Sequence, residues 1–218
     1  MTPDSIAELL EPYVSLPIGR AEGAAASGID WVGMYSQFVI YLDLILKWNA
    51  RINLTAIRTP EEIVRRHFGE SLFAGAYLGT CRTLLDFGSG AGFPGIPIQL
   101  LRPEVRVTLA ESHGRKAAFL HEVVRSLGLP SEVWTGRVEA MPATRHFDAV
   151  ALRAVDEMDR AVREAGLRAR ERVLIMGTAH QPIYSGLTEN FDIDELVPLP
   201  GSDSGVLRIA RRVNACRC

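Results

Sequence analysis

Cysteine is scarce in this 218-residue chain: there are three, and two of them, Cys216 and Cys218, sit at the very end. So few thiols exclude a disulfide framework and predict a reduced, cytoplasmic setting. The terminal pair lacks further ligands at suitable spacing, so no metal site is expected. Long apolar runs are missing too, which argues against a membrane span. The opening "MTPDSIAELL" lacks the basic-then-apolar layout of a secretory leader. A net charge of −2 is far from the basic balance of a general nucleic-acid binder. Lysine is nearly absent, with only Lys47 and Lys116 among 24 basic residues. Arginine suits bidentate phosphate contacts and stacking on bases, which leaves room for a local arginine-lined surface. For most of these arginines a general preference for the residue is the simpler reading. No internal repeat or low-complexity tract is present.

What is present changes character near residue 80. Before it the pattern is helical. Ser5 and Glu8 read as a capping box ahead of Ile6, Leu9, Leu10 and Tyr13. The small, polar stretch "GRAEGAAASG" (19–28) reads as a connection. A longer helix is predicted from Asp30 to Asn49, with Met34, Phe38, Tyr41, Leu42, Ile45 and Trp48 at helical spacing. Thr59, Pro60 and Glu62 announce another start, and a last helical stretch covers roughly 70–78. After residue 82, strand candidates at 83–87, 105–110, 132–135, 148–152 and 172–176 alternate with helices near 95–102, 115–127 and 156–168. That alternation predicts a mostly parallel α/β sheet with helices on both faces. Two further strands, 193–198 and 205–210, flank a short turn and predict a terminal antiparallel hairpin. The expected division is a helical extension over 1–80 packed on a core domain over 81–218.

The stretch "TLLDFGSGAGFPGIPIQLL" (83–101) carries the chemistry. A strand, a glycine turn and a helix start gather backbone N–H groups at the carboxyl edge of the sheet. Gly90, Gly92 and Gly95 match the dinucleotide fingerprint, so a nicotinamide-dependent oxidoreductase is one reading. Asp86 argues for another. Placed at the strand end with its carboxylate toward the ligand, it would repel a pyrophosphate and attract the ammonium of S-adenosylmethionine. Glu111 ends the next strand, where a ribose diol needs an acceptor in either ligand.

Taken together, "DFGSGAGFPGIP" (86–97), "LAESHGRKAAFLHEV" (109–123), "GRVEAM" (136–141) and "FDAVALRAV" (147–155) resemble the bacterial small-subunit (16S) ribosomal RNA guanine-N7 methyltransferase G family, also known as glucose-inhibited division protein B. "KWNARINLTAI" (47–57) and "HFGESL" (67–72) resemble its remaining signatures, so the likeness spans about residues 35–177. It implies a Rossmann-like, S-adenosylmethionine-dependent fold. The implied cofactor site is Gly88, Gly90, Phe93, Glu111, Val138, Glu139 and Arg153, beside Asp86 from the loop argument. RNA contacts are implied for Arg115 and Lys116 and are expected also from Asn53 and Arg153. Asn49, Asn53 and Thr55 either close a loop over the site or simply turn the chain, and His67 reads better as a core or hydrogen-bonded histidine than as a catalyst. The chain departs from the family where it has Glu70 for Asp, Leu152 for Ser, and Met176 near a common Lys.

The chemistry agrees with that resemblance. Guanine N7 is an unprotonated nucleophile, so its methylation needs alignment rather than a base. Exocyclic amine methylation wants an Asn/Asp-Pro-Pro-aromatic loop after the fourth strand, where this chain reads "LRAVDE". Pyrimidine C5 methylation wants a cysteine near the site, and Cys81 precedes the first strand. The expected partner is small-subunit ribosomal RNA or a 30S assembly intermediate, with no membrane and no obligate protein partner. A methyltransferase acting on another RNA, a small molecule or a protein, and a non-catalytic ribosome-assembly factor, are the alternatives.

Overall fold

The computed structural model describes residues 1–15, 29–181, 187 and 190–213. The connection read at 19–28 and the terminal cysteine pair lie outside the described residues.

Seven strands form one sheet: β1 (Thr83–Phe87), β2 (Arg106–Glu111), β3 (Glu132–Thr135), β4 (Phe147–Arg153), β5 (Ala169–Thr178), β6 (Phe191–Pro198) and β7 (Gly205–Arg212). Their order is β3-β2-β1-β4-β5-β7-β6. β1 to β5 pair in parallel, and β7 runs antiparallel between β5 and β6. The central strands are apolar on both faces because both faces are covered. Side chains alternate across a strand, so neighbours enter different cores: Leu84, Leu109 and Leu174 join one cluster, while Leu85, Ala110, Val173 and Ile175 join the other. The chain reverses its direction of progress across the sheet between β1 and β4. Ligands bind at such a switch point, outside the carboxyl ends of the strands.

The helices of the core are α5 (Gly95–Leu101), α6 (Gly114–Leu127) and α7 (Met158–Arg168). They follow α1 (Pro3–Val14), α2 (Trp31–Asn49), α3 (Pro60–Glu62) and α4 (Glu70–Gly75), with seven residues of π-helix, Ile63–Gly69, joining α3 to α4. Asp30 caps α2 by accepting the Gly33 amide at 2.9 Å. At α1 the capping box is shifted by one turn: Thr2 is the cap and Ser5 its reciprocating partner, because Pro3 fits the first helical position. Thr59 does begin α3, but its hydroxyl donates to the Glu62 carboxylate at 2.8 Å instead of capping the backbone.

The early helices share one hydrophobic cluster with the sheet, from Ile6 and Phe38 through Leu84 to Leu207. Aromatic rings make the bridge. Phe68, from the π-helical turns, stacks between Phe38 at 4.6 Å and Tyr41 at 5.1 Å. Tyr41 leans on Phe93 of the glycine loop at 5.7 Å and donates its hydroxyl to the Ala91 carbonyl. Helix α5 approaches the sheet through Gly95, where an added Cβ would lie 2.5 Å from Leu109 Cδ2 and 2.7 Å from Asp86 Oδ2. Gly95→Ala is therefore expected to lower stability by about 1–3 kcal/mol, the usual cost of overpacking, as read from the denaturation midpoint in urea.

Candidate active site

The turn after β1 is held from within by two acids. Gly88, Gly90 and Gly92 all take positive φ. At Gly92 there is also no room for a side chain, since a Cβ would meet Ile96 Cδ1 at 2.4 Å and the Tyr41 hydroxyl at 2.6 Å. The Gly90 amide donates to Glu111 Oε2 at 2.9 Å, and the Gly95 amide donates to Asp86 Oδ2 at 3.0 Å. Ser89 N–H reaches across to the Ala110 carbonyl at 2.9 Å, tying the loop to β2. Glu111 Oε1 accepts from the His113 amide at 2.7 Å, so one carboxylate joins the turn after β1 to the turn after β2.

Beside this loop lies a cavity of about 570 Å³. It collects Gly88, Gly90, Phe93, Glu111, Lys116, Val138, Glu139 and Arg153 from four separate stretches of sequence. Three residues expected at the site stand apart from it. Asn53 and Arg115 are exposed and do not line the cavity. Asp86 is fully buried and also does not line it. The expectation that its carboxylate faces a ligand is corrected: it turns to the start of α5, where a buried amide needs an acceptor. Turned away from the cavity, Asp86 does not separate S-adenosylmethionine from a dinucleotide by its charge. Burial pushes the Asp86 pKa up to about 7, against the pull of the Gly95 amide. Among the described residues Oδ1 has no hydrogen-bond partner.

The helical layer builds the opposite wall. Asn49, the last residue of α2, accepts the Leu54 and Thr55 amides at 2.9 and 3.1 Å and donates to the Thr55 carbonyl at 3.0 Å. This clamps the loop so that Leu54, Thr55 and Ala56 face the cavity. Thr55 Oγ1 lies 2.6 Å from His67 Nε2, and the His67 ring stacks on Phe93 at 4.5 Å. His67 is thus hydrogen-bonded, as read from the sequence, yet it also lines the cavity. Burial, followed by the guanidinium charges of Arg153 and Arg66, pushes its pKa down to about 3. The ring is neutral at physiological pH.

Arg153, at the end of β4, donates to Glu70 Oε2 at 2.6 Å and to the Arg66 carbonyl at 2.9 Å. Glu70 also lies 3.5 Å from Arg66 Nε, so this buried carboxylate reaches two guanidiniums. Burial lowers the Arg153 pKa and the Glu70 charge opposes that shift. Nη1 of Arg153 is buried with no partner among the described residues. Leu152 and Met176 are core residues on opposite faces of the sheet and do not line the cavity. The turn that follows contains Ala154 and Glu157 at φ 49° and 50°, a strained conformation for residues with side chains. Such strain has no signature in composition, and sequence reasoning missed this wall. It also missed Arg160, which pairs with Glu139 at 3.2 Å. Arg168 is buried and donates to the carbonyls of Val138, Met141, Pro142 and Arg145. It shapes the segment carrying Val138 and Glu139.

A glycine loop after β1, an acid ending β2 and a 3-2-1-4-5-7-6 sheet define a Rossmann-like methyltransferase fold. Solved structures share it: MtNAS in complex with S-adenosylmethionine superposes with a TM-score of 0.58 at 14% identity, covering 97% of this chain and 98% of that one. Magnesium protoporphyrin IX methyltransferase from Synechocystis superposes at 0.50 with 12% identity, covering 98% of each chain. Within that class the chain belongs to the GidB family, rRNA small subunit methyltransferase G, whose profile matches residues 34–183. Ribosomal RNA small subunit methyltransferase G of Stenotrophomonas maltophilia is 37% identical over 182 residues, covering 82% of this chain and 85% of the relative. The Xanthomonas campestris protein of the same name is 36% identical over 200 residues, with 89% and 92% covered.

The raised pKa of Asp86 has a sign that can be measured. The acid ionises near 3.8 when unfolded and near 7 when folded, so its neutral form favours the fold and that contribution is lost as pH rises between the two values. Asp86→Asn keeps an acceptor for the Gly95 amide but cannot ionise. Wild-type stability relative to this variant is expected to fall from pH 4 to 7 and to level off above, in denaturation curves taken across that range.

Proposed function

We propose that this enzyme transfers the methyl group of S-adenosylmethionine to N7 of a guanine in small-subunit (16S) ribosomal RNA, acting in the cytoplasm on the RNA or on a 30S assembly intermediate. The observation that carries the reading is convergence. Gly88, Gly90, Phe93, Glu111, Val138, Glu139 and Arg153, scattered over the chain, line one cavity in a member of this family.

The cavity suits the cofactor. Its volume falls within the roughly 300–1,000 Å³ of small-molecule sites, and the positive-φ glycines let a ligand approach the backbone. Gly88 and Gly90 would lie against the amino-acid part. Glu111 spends one lone pair of each oxygen on amides and keeps others for ribose hydroxyls. Val138 offers an apolar face for the adenine, with Glu139 at its rim. When bound, S-adenosylmethionine supplies an electrophilic methyl group on a sulfonium.

The protein's own part is to align and to exclude water. N7 carries no proton, so no general base is required of this chain. The neutral ring of His67 suits that task, since the ring itself adds no positive charge beside a base that becomes cationic. Arg115 and Asn53 would meet the RNA outside the pocket, and Lys116 would meet it from the pocket's own wall.

Labelled methyl transfer into total RNA and into undermethylated 30S subunits tests the reading, with calorimetric titration of S-adenosylmethionine and NADH alongside. A single guanine sensitive to N7-directed strand cleavage, and heat of binding from S-adenosylmethionine alone, are the expected results. Binding of NADH alone, or methylation confined to small molecules or protein, would reject it.

A further inference from the structure

The wall contributed by the helical layer holds a hydroxyl with an unusual hydrogen-bond inventory. Thr55 Oγ1 accepts the Ile57 amide at 3.1 Å and stands 2.6 Å from His67 Nε2. The imidazole is not free to swing, because it stacks on Phe93 with the planes 19° apart. Its other nitrogen, Nδ1, is buried with no partner among the described residues. A neutral histidine carries a single N–H. Were that proton on Nδ1, a buried donor would be stranded; on Nε2, the buried atom is merely an unused lone pair. Stranded N–H groups are the rarer and more costly of the two. The proton therefore belongs on Nε2, donating to Thr55. The pKa near 3 keeps the doubly protonated ring out of play.

Both lone pairs of the Thr55 hydroxyl are then occupied, by Ile57 and by His67, and only its proton remains for a ligand. A threonine hydroxyl ordinarily donates and accepts, and so cannot tell a carbonyl from an amine. This one only donates, and Thr55 lines the cavity. Guanine presents an acceptor, O6, beside N7, whereas adenine presents an N6 amine there.

We propose that Thr55, held donor-only by His67, reads the 6-position of the target purine, donating to guanine O6 and offering adenine's amine nothing to bond. His67 acts here as a positioning residue, through Thr55. The inference rests on the guanine-N7 reading above and deepens it.

The test uses full-length enzyme, undermethylated 30S subunits, and matching subunits with adenine at the methylated position. Thr55→Val removes the hydroxyl at constant shape and is expected to cut kcat/KM on guanine about 10- to 100-fold, the value of one base-reading contact, while the Kd for S-adenosylmethionine holds. Thr55→Ser is expected to recover activity to within a few-fold of wild type. His67→Phe keeps a stacked ring but frees a lone pair on Thr55, so the preference for guanine over adenine narrows. Nitrogen-15 NMR of the wild-type protein is expected to place the His67 proton on Nε2. A fully active Thr55→Val enzyme, a loss matched by equal loss of cofactor affinity, or a proton on Nδ1 overturns the assignment alone. Failure of the wild-type enzyme to methylate any guanine overturns the guanine reading and this inference with it.

Discussion

Two buried carboxylates answering two backbone amides are the constraint on which the site depends. Asp86 takes the amide of Gly95 and Glu111 takes the amide of Gly90. A loop that turns through three alternate positive-φ glycines has little intrinsic preference for one shape, since glycine loses more conformational freedom on folding than any other residue. Acceptors fixed on β1 and β2 supply what the loop lacks. Asp86 sits in a place that desolvates it severely, and the favoured protonation state moves accordingly. Of the two acids only Glu111 also lines the cavity.

The same loop is gripped from the outside by aromatic rings. Phe93 meets Tyr41, Phe68 and His67, three side chains from the helical layer. Stacked and tilted ring pairs add to the area that they bury. A shift of the helices relative to the sheet is therefore also a shift of one wall of the cavity against the other. The Arg153–Glu70 pair couples the same two parts by charge, from the end of β4 to the start of α4. Removing Glu70 would leave the buried Arg153 guanidinium without its carboxylate, which is the costly way to break such a pair.

The departures from the family pattern look different once they are placed. Glu70 lies inside this ion pair and there reaches Arg66 as well as Arg153. Leu152 and Met176 fill the two cores beneath the cavity rather than its wall. None of the three removes a group from the cofactor side. Arginine use divides in a similar way. Arg168 and Arg153 are internal fasteners, whereas Arg115 and Arg137 are exposed.

Much of the architecture was legible in the order of residues, because periodicity and glycine placement are local properties. The strand at 83–87, the helix from Trp31 to Asn49 and the closing hairpin follow from apolar spacing and turn residues that act over a few positions. Family motifs likewise pointed to Gly88, Gly90, Phe93, Glu111, Val138, Glu139, Arg153 and Lys116, which come to line one cavity. What the chain order could not express is direction. An aspartate at a strand end has the same letters whether it faces a ligand or a helix amide, and only packing against Gly95 decided that Asp86 turns inward. The π-helical turns that present His67, the strained turn after Arg153, and the four carbonyls gathered by Arg168 depend on partners tens of residues away. Sequence by itself determined the elements and the family; tertiary structure decided which side chains face the cavity, because facing is set by contacts between segments and not by any one of them.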